Sequence, residues 1–232
     1  MLPPGCLGGK MPAQDDSREN RLVDLFNLER PQNRVRHGVD AILRMGNRSY
    51  EFELKSITTA RGGLTTVRDF GPDHIEKWKT KHWIVALYTG DQLTACKYAS
   101  PTDLKPWIET KWDYVKSDFM AAEVVPASVS KAAMFEIIGD KAVYTLADAK
   151  TLQKQQYSAE KYRASMDVEG GYSPDAMLKI FRDRIAYLLA RGSTLNNPKV
   201  PQNVVGGWAT ITSDYAHRLR ELVQAWDEQQ PT

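Results

Sequence analysis

Polar and apolar positions alternate strictly from Tyr50 to Lys55. Tyr50, Phe52 and Leu54 share one side, and Glu51, Glu53 and Lys55 share the other, as on a β-strand with one greasy and one charged face. Upstream lies Gly46-Asn47, a dipeptide that tolerates the positive φ angles of a two-residue hairpin loop, so Gly38 to Lys55 predicts a β-hairpin. From Ser17 to Arg30 the spacing changes to helical, with Leu22, Leu25 and Phe26 in one stripe and Pro31 ending the run. Pro72 opens a short helix reaching about Lys81. Trp83 to Tyr88 is a continuous apolar run bounded by Thr89-Gly90-Asp91, which predicts a central strand buried on both sides, and Leu93 to Tyr98 predicts another.

The second half reads as mainly helical. Trp107, Ile108, Trp112, Val115 and Phe119 follow helical spacing between Pro106 and Pro126, a stripe better suited to a core or dimer interface than to base stacking. Met134 to Ile138 fits a strand or a short helix equally. Helices are predicted over 145–156 and 159–166, and Ser173-Pro174-Asp175 caps a helix that Gly192 ends. In that helix Met177, Ile180, Phe181, Ile185, Leu188 and Leu189 form a stripe expected to be buried. Residues 193–211 read as a long, functional loop, and a last helix runs from about Asp214 to Gln229, with His217, Arg218 and Arg220 as candidate phosphate contacts. The expected organisation is a disordered leader over 1–16, an α/β core over 17–125 and a mainly helical extension packed on it over 126–232.

The hairpin turn decides what lies opposite the charged face. With Gly46-Asn47 as the loop, Met45 pairs with Arg48 and Asp40 falls across from Glu53, their Cβ atoms roughly 4.5–5.5 Å apart. Two facing carboxylates repel, and a cation between them resolves the conflict. A turn slipped to Asn47-Arg48 would instead set Asp40 against Lys55 as an ordinary ion pair. Hard oxygen donors, with no His/Cys cluster at zinc spacing, point to Mg²⁺ or Mn²⁺.

An Asp ending one strand, followed after a short gap by Glu-x-Lys on the next, resembles the PD-(D/E)xK nuclease superfamily, which includes many type II restriction endonucleases. The matching residues are Asp40, Glu53 and Lys55; Val39 stands where the motif's name has Pro. The resemblance covers at most residues 17–100. It implies a restriction-endonuclease-like core of a mixed β-sheet flanked by helices, and Mg²⁺ held by Asp40, Glu53 and the Leu54 carbonyl. Lys55 would orient or help deprotonate the attacking water. Glu19 on the first helix is a further acidic candidate, against its plain reading as a solvated first-turn residue, and Glu51 a candidate second-metal ligand.

Ser56 to Gly71 carries hydroxyls, two arginines and Gly62-Gly63 directly after Lys55. Thr59, Arg61, Gly62, Gly63, Thr65, Thr66 and Arg68 therefore form the first choice for a DNA-contacting loop, against a plain polar loop. His74, Lys77 and Lys81 share a helix face that suits either a phosphate track or solvent.

Composition narrows the classes without choosing among them. The 232 residues are 42% hydrophobic and 26% charged, ordinary for a globular protein, and a net charge of +2 leaves any DNA surface to local clustering. Two cysteines, Cys6 and Cys96, argue against a disulfide framework and fit a reducing cytosol; no apolar run approaches a membrane span, and the first residues, with neither a basic nor an apolar region, are not expected to direct export. The expected protein is a cytoplasmic, Mg²⁺-dependent endonuclease of double-stranded DNA, sequence-specific and homodimeric, since a palindromic site has two-fold symmetry. The alternatives are a structure-specific repair or recombination nuclease and a non-catalytic DNA-binding protein with a structural charge cluster.

Overall fold

The structure, a computed structural model, describes residues 13–31, 38–58 and 63–230. Among these the chain runs α1 (Ala13–Phe26), β1 (Ala41–Met45), β2 (Arg48–Thr58), β3 (Leu64–Thr65), α2 (Pro72–Trp78), β4 (His82–Thr89), β5 (Gln92–Ala99) and α3 (Pro101–Ser128). It continues with α4 (Lys131–Ile138), α5 (Leu146–Gln153), α6 (Ala159–Ala164), α7 (Pro174–Gly192), β6 (Lys199–Val200), α8 (Gln202–Gly207), β7 (Ala209–Ile211) and α9 (Tyr215–Asp227). Two compact units result, one extending to Thr110 and resuming at Asn197, the other comprising Lys111–Asn196.

The first unit is built on a mixed five-stranded sheet in the order β1-β2-β4-β5-β7, with β2 and β4 parallel and the other neighbours antiparallel. This is the restriction-endonuclease-like α/β core expected of the sequence. Met45 pairs with Arg48 and Ala41 with Phe52, so Gly46-Asn47 is the loop. Gly46 takes φ +58° while Asn47 stays out of the positive region, the pattern of a type II′ turn. Because β2 and β4 are parallel, the chain must cross over between them, and α2 makes that crossing.

Each sheet face has its own cover. Phe52 and Leu54 join Leu22 and Phe26 of α1 and Leu219 and Val223 of α9 in one apolar core. Trp83 of β4 meets Trp78 of α2 edge-on at 4.6 Å, and Phe70 and Trp107 pack on Trp78 at 5.4 and 6.3 Å. Strand β4 is therefore buried on both faces, as its unbroken apolar run requires.

His82, which opens β4, is buried against Phe52, Tyr50, Tyr98 and Trp226, with Nδ1 2.8 Å from the Tyr98 hydroxyl. Burial pushes its pKa from 6.5 down to about 4, and the Asp227 charge opposes this only weakly. The folded pKa lies below the unfolded one, so this group's stabilisation is complete above pH 6.5 and is lost as pH falls towards 4. Urea titrations at pH 7.5 and 4.5 should show the parent losing up to about 3 kcal/mol more than His82→Gln over that interval. Equal losses in both proteins would remove His82 as the source.

The second unit is helical, and its helix starts follow local capping. Ser130, Thr145, Ser158 and Ser173 each accept from the backbone N–H three residues on, and Thr145 and Asp148 complete a reciprocal box. Met134, Tyr144, Tyr162, Tyr172, Met177, Ile180 and Phe181 form its core.

Several elements differ from expectation. Helix α1 already includes residues 13–16, placed by the sequence in the leader, while 1–12 lie outside the described residues. Helix α3 runs through both Pro106 and Pro126. A proline removes one N–H bond, and at the start of α3 a box between Ser100 and Asp103 together with buried Leu104, Trp107 and Ile108 holds the extra turns. Residues 134–138 are helical. On α7, Met177, Ile180 and Phe181 are buried, but Leu188 and Leu189 are exposed, since α5 and α4 cover only part of the stripe. Residues 193–211 are not a structureless loop: β6 pairs with β3, and β7 adds the last strand to the sheet beside β5. Residues 197–230, read from sequence as part of the helical extension, thus contribute β7 and α9 to the first unit.

Candidate active site

Asp40 immediately precedes β1, and its N–H donates at 3.2 Å to the carbonyl of Phe52, the residue that Ala41 also faces, so Asp40 sits at an irregular end of the hairpin ladder. Its carboxylate Oδ2 accepts from the Leu54 N–H at 2.9 Å. The alternating pattern of β2 sends Phe52 and Leu54 into the apolar core and turns Glu53 and Lys55 to the side covered by α2. Beside them in β4 stand Trp83 and Val85, both buried, which is why Glu53 is only 3% exposed.

Glu53 is held by two ammonium groups. Lys55 Nζ lies 2.8 Å from Oε1 and Lys77 Nζ, carried by α2, lies 3.1 Å from Oε2. Burial works to raise the Glu53 pKa, but the charges of Lys55 and Lys77 outweigh it and hold the carboxyl below the usual range. Asp40 goes the other way: burial and the neighbouring Glu53 charge raise its pKa, and Lys55, the Leu54 N–H and Lys77 do not cancel them. Burial would depress Lys55, yet the Glu53 and Asp40 carboxylates raise its pKa, and Lys55 stays an ammonium.

Asp40, Glu53, Leu54 and Lys55 therefore come together at one hairpin. Glu19 lies close enough to add its charge to those favouring the Lys55 ammonium, while its carboxylate pairs with Arg30 at 3.7 Å. Glu51, one pair nearer the turn and opposite Ile42, forms an ion pair at 3.0 Å with Lys81, a buried lysine.

The helix face expected of His74, Lys77 and Lys81 does not form a common track. His74 packs on Phe70 and Trp78, Lys77 enters the Glu53 site, and Lys81 is buried beyond the helix end. This inward position of Lys77 was missed from sequence. The strand–helix–strand order carries a usable signal, because a crossover between parallel strands lays its helix over one sheet face.

Of the expected DNA-contacting loop, Thr59, Arg61 and Gly62 lie outside the described residues. Gly63 is buried at φ +105°, and a Cβ there would stand 2.9 Å from the Val200 carbonyl oxygen, so this position needs glycine. Thr65 is exposed opposite Lys199, the Thr66 hydroxyl donates to the Pro198 carbonyl at 2.6 Å, and Arg68 is exposed. Towards the C-terminus, His217 and Arg218 pair with Glu221. Arg220 instead donates to the Phe26 and Asn27 carbonyls, so it ties α9 to the end of α1.

The donor set fits a hard divalent cation. Glu53 Oε2 is buried and makes no hydrogen bond of good geometry, Asp40 and Glu53 repel, and both offer oxygen. Among the described residues there is no cluster of three or more His, Cys, Asp or Glu, so the Leu54 carbonyl would be needed as a further ligand.

A mixed sheet whose edge hairpin carries Asp40, Glu53 and Lys55 is the arrangement that resembles the PD-(D/E)xK nucleases, and a family model of their type II restriction-endonuclease class matches residues 13–125. The family model that matches this span is described as restriction endonuclease PvuII. No curated protein matches the chain. No helix among the described residues is long and apolar enough to cross a membrane.

Proposed function

We propose that this protein is a Mg²⁺-dependent, sequence-specific endonuclease of double-stranded DNA, acting in the cytoplasm as a homodimer that cuts one strand with each subunit. The observation that carries this reading is the convergence of Asp40, Glu53 and Lys55 on one hairpin inside the span matched by the restriction endonuclease family. Two-fold symmetry suits a palindromic duplex site.

Asp40, Glu53 and the Leu54 carbonyl are the residues to hold Mg²⁺, with Mn²⁺ as a substitute. When bound, the metal lowers the pKa of its water and neutralises charge growing on the phosphoryl oxygens. The Leu54 N–H fixes Asp40, and burial against Trp83 fixes Glu53, so neither carboxylate must reorganise during reaction. Lys55, kept protonated by the two carboxylates, donates hydrogen bonds that orient the attacking water or a phosphate oxygen. Water adds to phosphorus as the bond to the leaving ester oxygen breaks; no covalent enzyme intermediate is needed. Thr65 and Arg68, exposed where the chain leaves β2 and pairs with β6, are the described residues best placed for contacts to DNA.

Incubation of a complex plasmid with the purified protein and Mg²⁺ is expected to give discrete fragments, and Ca²⁺ in its place to give none. Cleavage confined to branched or damaged DNA would instead identify a structure-specific nuclease. Metal-independent binding without cleavage would leave the cluster a structural one.

A further inference from the structure

Lys77 differs from an ordinary surface ion pair in two ways. Its ammonium reaches a carboxylate that is 3% exposed, from a helix whose next residue, Trp78, is fully buried. It also meets Glu53 Oε2 as a charge at 3.1 Å and not as an aligned hydrogen-bond donor, since that oxygen has no hydrogen bond of good geometry. Among the described residues Asp40 and Glu53 face the ammoniums of Lys55 and Lys77, with Glu19 near enough to act on Lys55.

A divalent cation entering this group meets repulsion from both ammoniums, and one has to withdraw. Lys55 is favoured in place by Glu53, Asp40 and Glu19 together. Lys77 stands on a flexible four-carbon stem, and among the described residues its one ion pair is the contact to Oε2, which lacks good hydrogen-bond geometry, so it is the one that yields. We propose that Lys77 is a positioning residue, the resident counter-cation of Glu53: it holds Oε2 in the metal-free protein and gives up that oxygen when a divalent cation binds. The proposal rests on the metal reading of Asp40 and Glu53 given above.

Calorimetric titration with Ca²⁺ tests it on the parent, Lys77→Gln, Lys77→Arg and Asp40→Asn. Lys77→Gln should bind Ca²⁺ at least about tenfold tighter, because a competing unit charge is gone, and its metal-free form should melt lower. Lys77→Arg keeps the charge and should stay within about threefold of the parent. A purely structural role would lower the melting temperature without tightening Ca²⁺ binding, and that result overturns the proposal while leaving the metal site standing. Side-chain NMR of the lysine ammonium groups in the parent gives an answer that needs no variant to fold. The Lys77 signal should shift on Ca²⁺ addition, and a stationary signal in a protein that binds Ca²⁺ overturns the proposal. If the parent binds neither Ca²⁺ nor Mn²⁺, or Asp40→Asn binds as well as the parent, the metal reading falls and the proposal with it.

Discussion

Asp40→Asn is expected to lower DNA cleavage by at least about 10²–10³-fold, the loss that follows removal of one preorganised electrostatic support. Its folded state should nevertheless be as stable as the parent's, or more so. Asp40 is a carboxylate whose charge the fold disfavours, because burial and the adjacent Glu53 both raise its pKa. Asparagine keeps an oxygen to accept from the Leu54 N–H and removes the repelling charge. Lys55→Ala should lose cleavage as severely but should also destabilise, since it leaves buried Glu53 Oε1 without its ammonium. Rates of plasmid cleavage, measured beside thermal melts of the same samples, separate the two. A stable Asp40→Asn protein that still cuts would sink the assignment of Asp40. A sharply destabilised one would contradict the reading that burial and Glu53 disfavour the Asp40 charge.

The second large effect is structural. Trp78→Ala should cost about 3–5 kcal/mol, because Trp78 is fully buried and touches Phe70, Trp83 and Trp107. Helix α2 has seven residues, too few to persist without tertiary anchoring, so its hold on the sheet depends on this side chain and on Ile75. Loosening α2 also withdraws Lys77 from Glu53. Tyr114, 75% exposed on α3, provides the contrast: Tyr114→Ala should change stability by no more than about 0.5 kcal/mol. Urea unfolding midpoints at constant slope give both numbers. A cost below about 1 kcal/mol for Trp78→Ala would mean that other contacts hold α2.

What the sequence determined by itself is local. The alternation from Tyr50 to Lys55 and the Gly46-Asn47 turn specify the hairpin register, because a period of two and a glycine able to take φ +58° leave one pairing that buries Phe52 and Leu54 together. The unbroken apolar run of β4 and the Ser-Pro-Asp start of α7 act over a few residues in the same way. The candidate site was legible because Asp40, Glu53 and Lys55 fall within one such element.

Tertiary structure alone decided the rest, where partners are far apart in the chain and no local period links them. It brought Lys77 to Glu53 and buried Lys81 against Glu51, since the side chains that α2 turns inward depend on the seat of Trp78 among Phe70, Trp83 and Trp107. It paired β3 with β6 and set β7 beside β5, joining segments separated by more than a hundred residues. It carried α3 through Pro106, because packing of Leu104, Trp107 and Ile108 offsets a lost backbone bond that local propensity counts as a stop. Alternation along a strand says which face a charged side chain takes, but only packing says what meets it there.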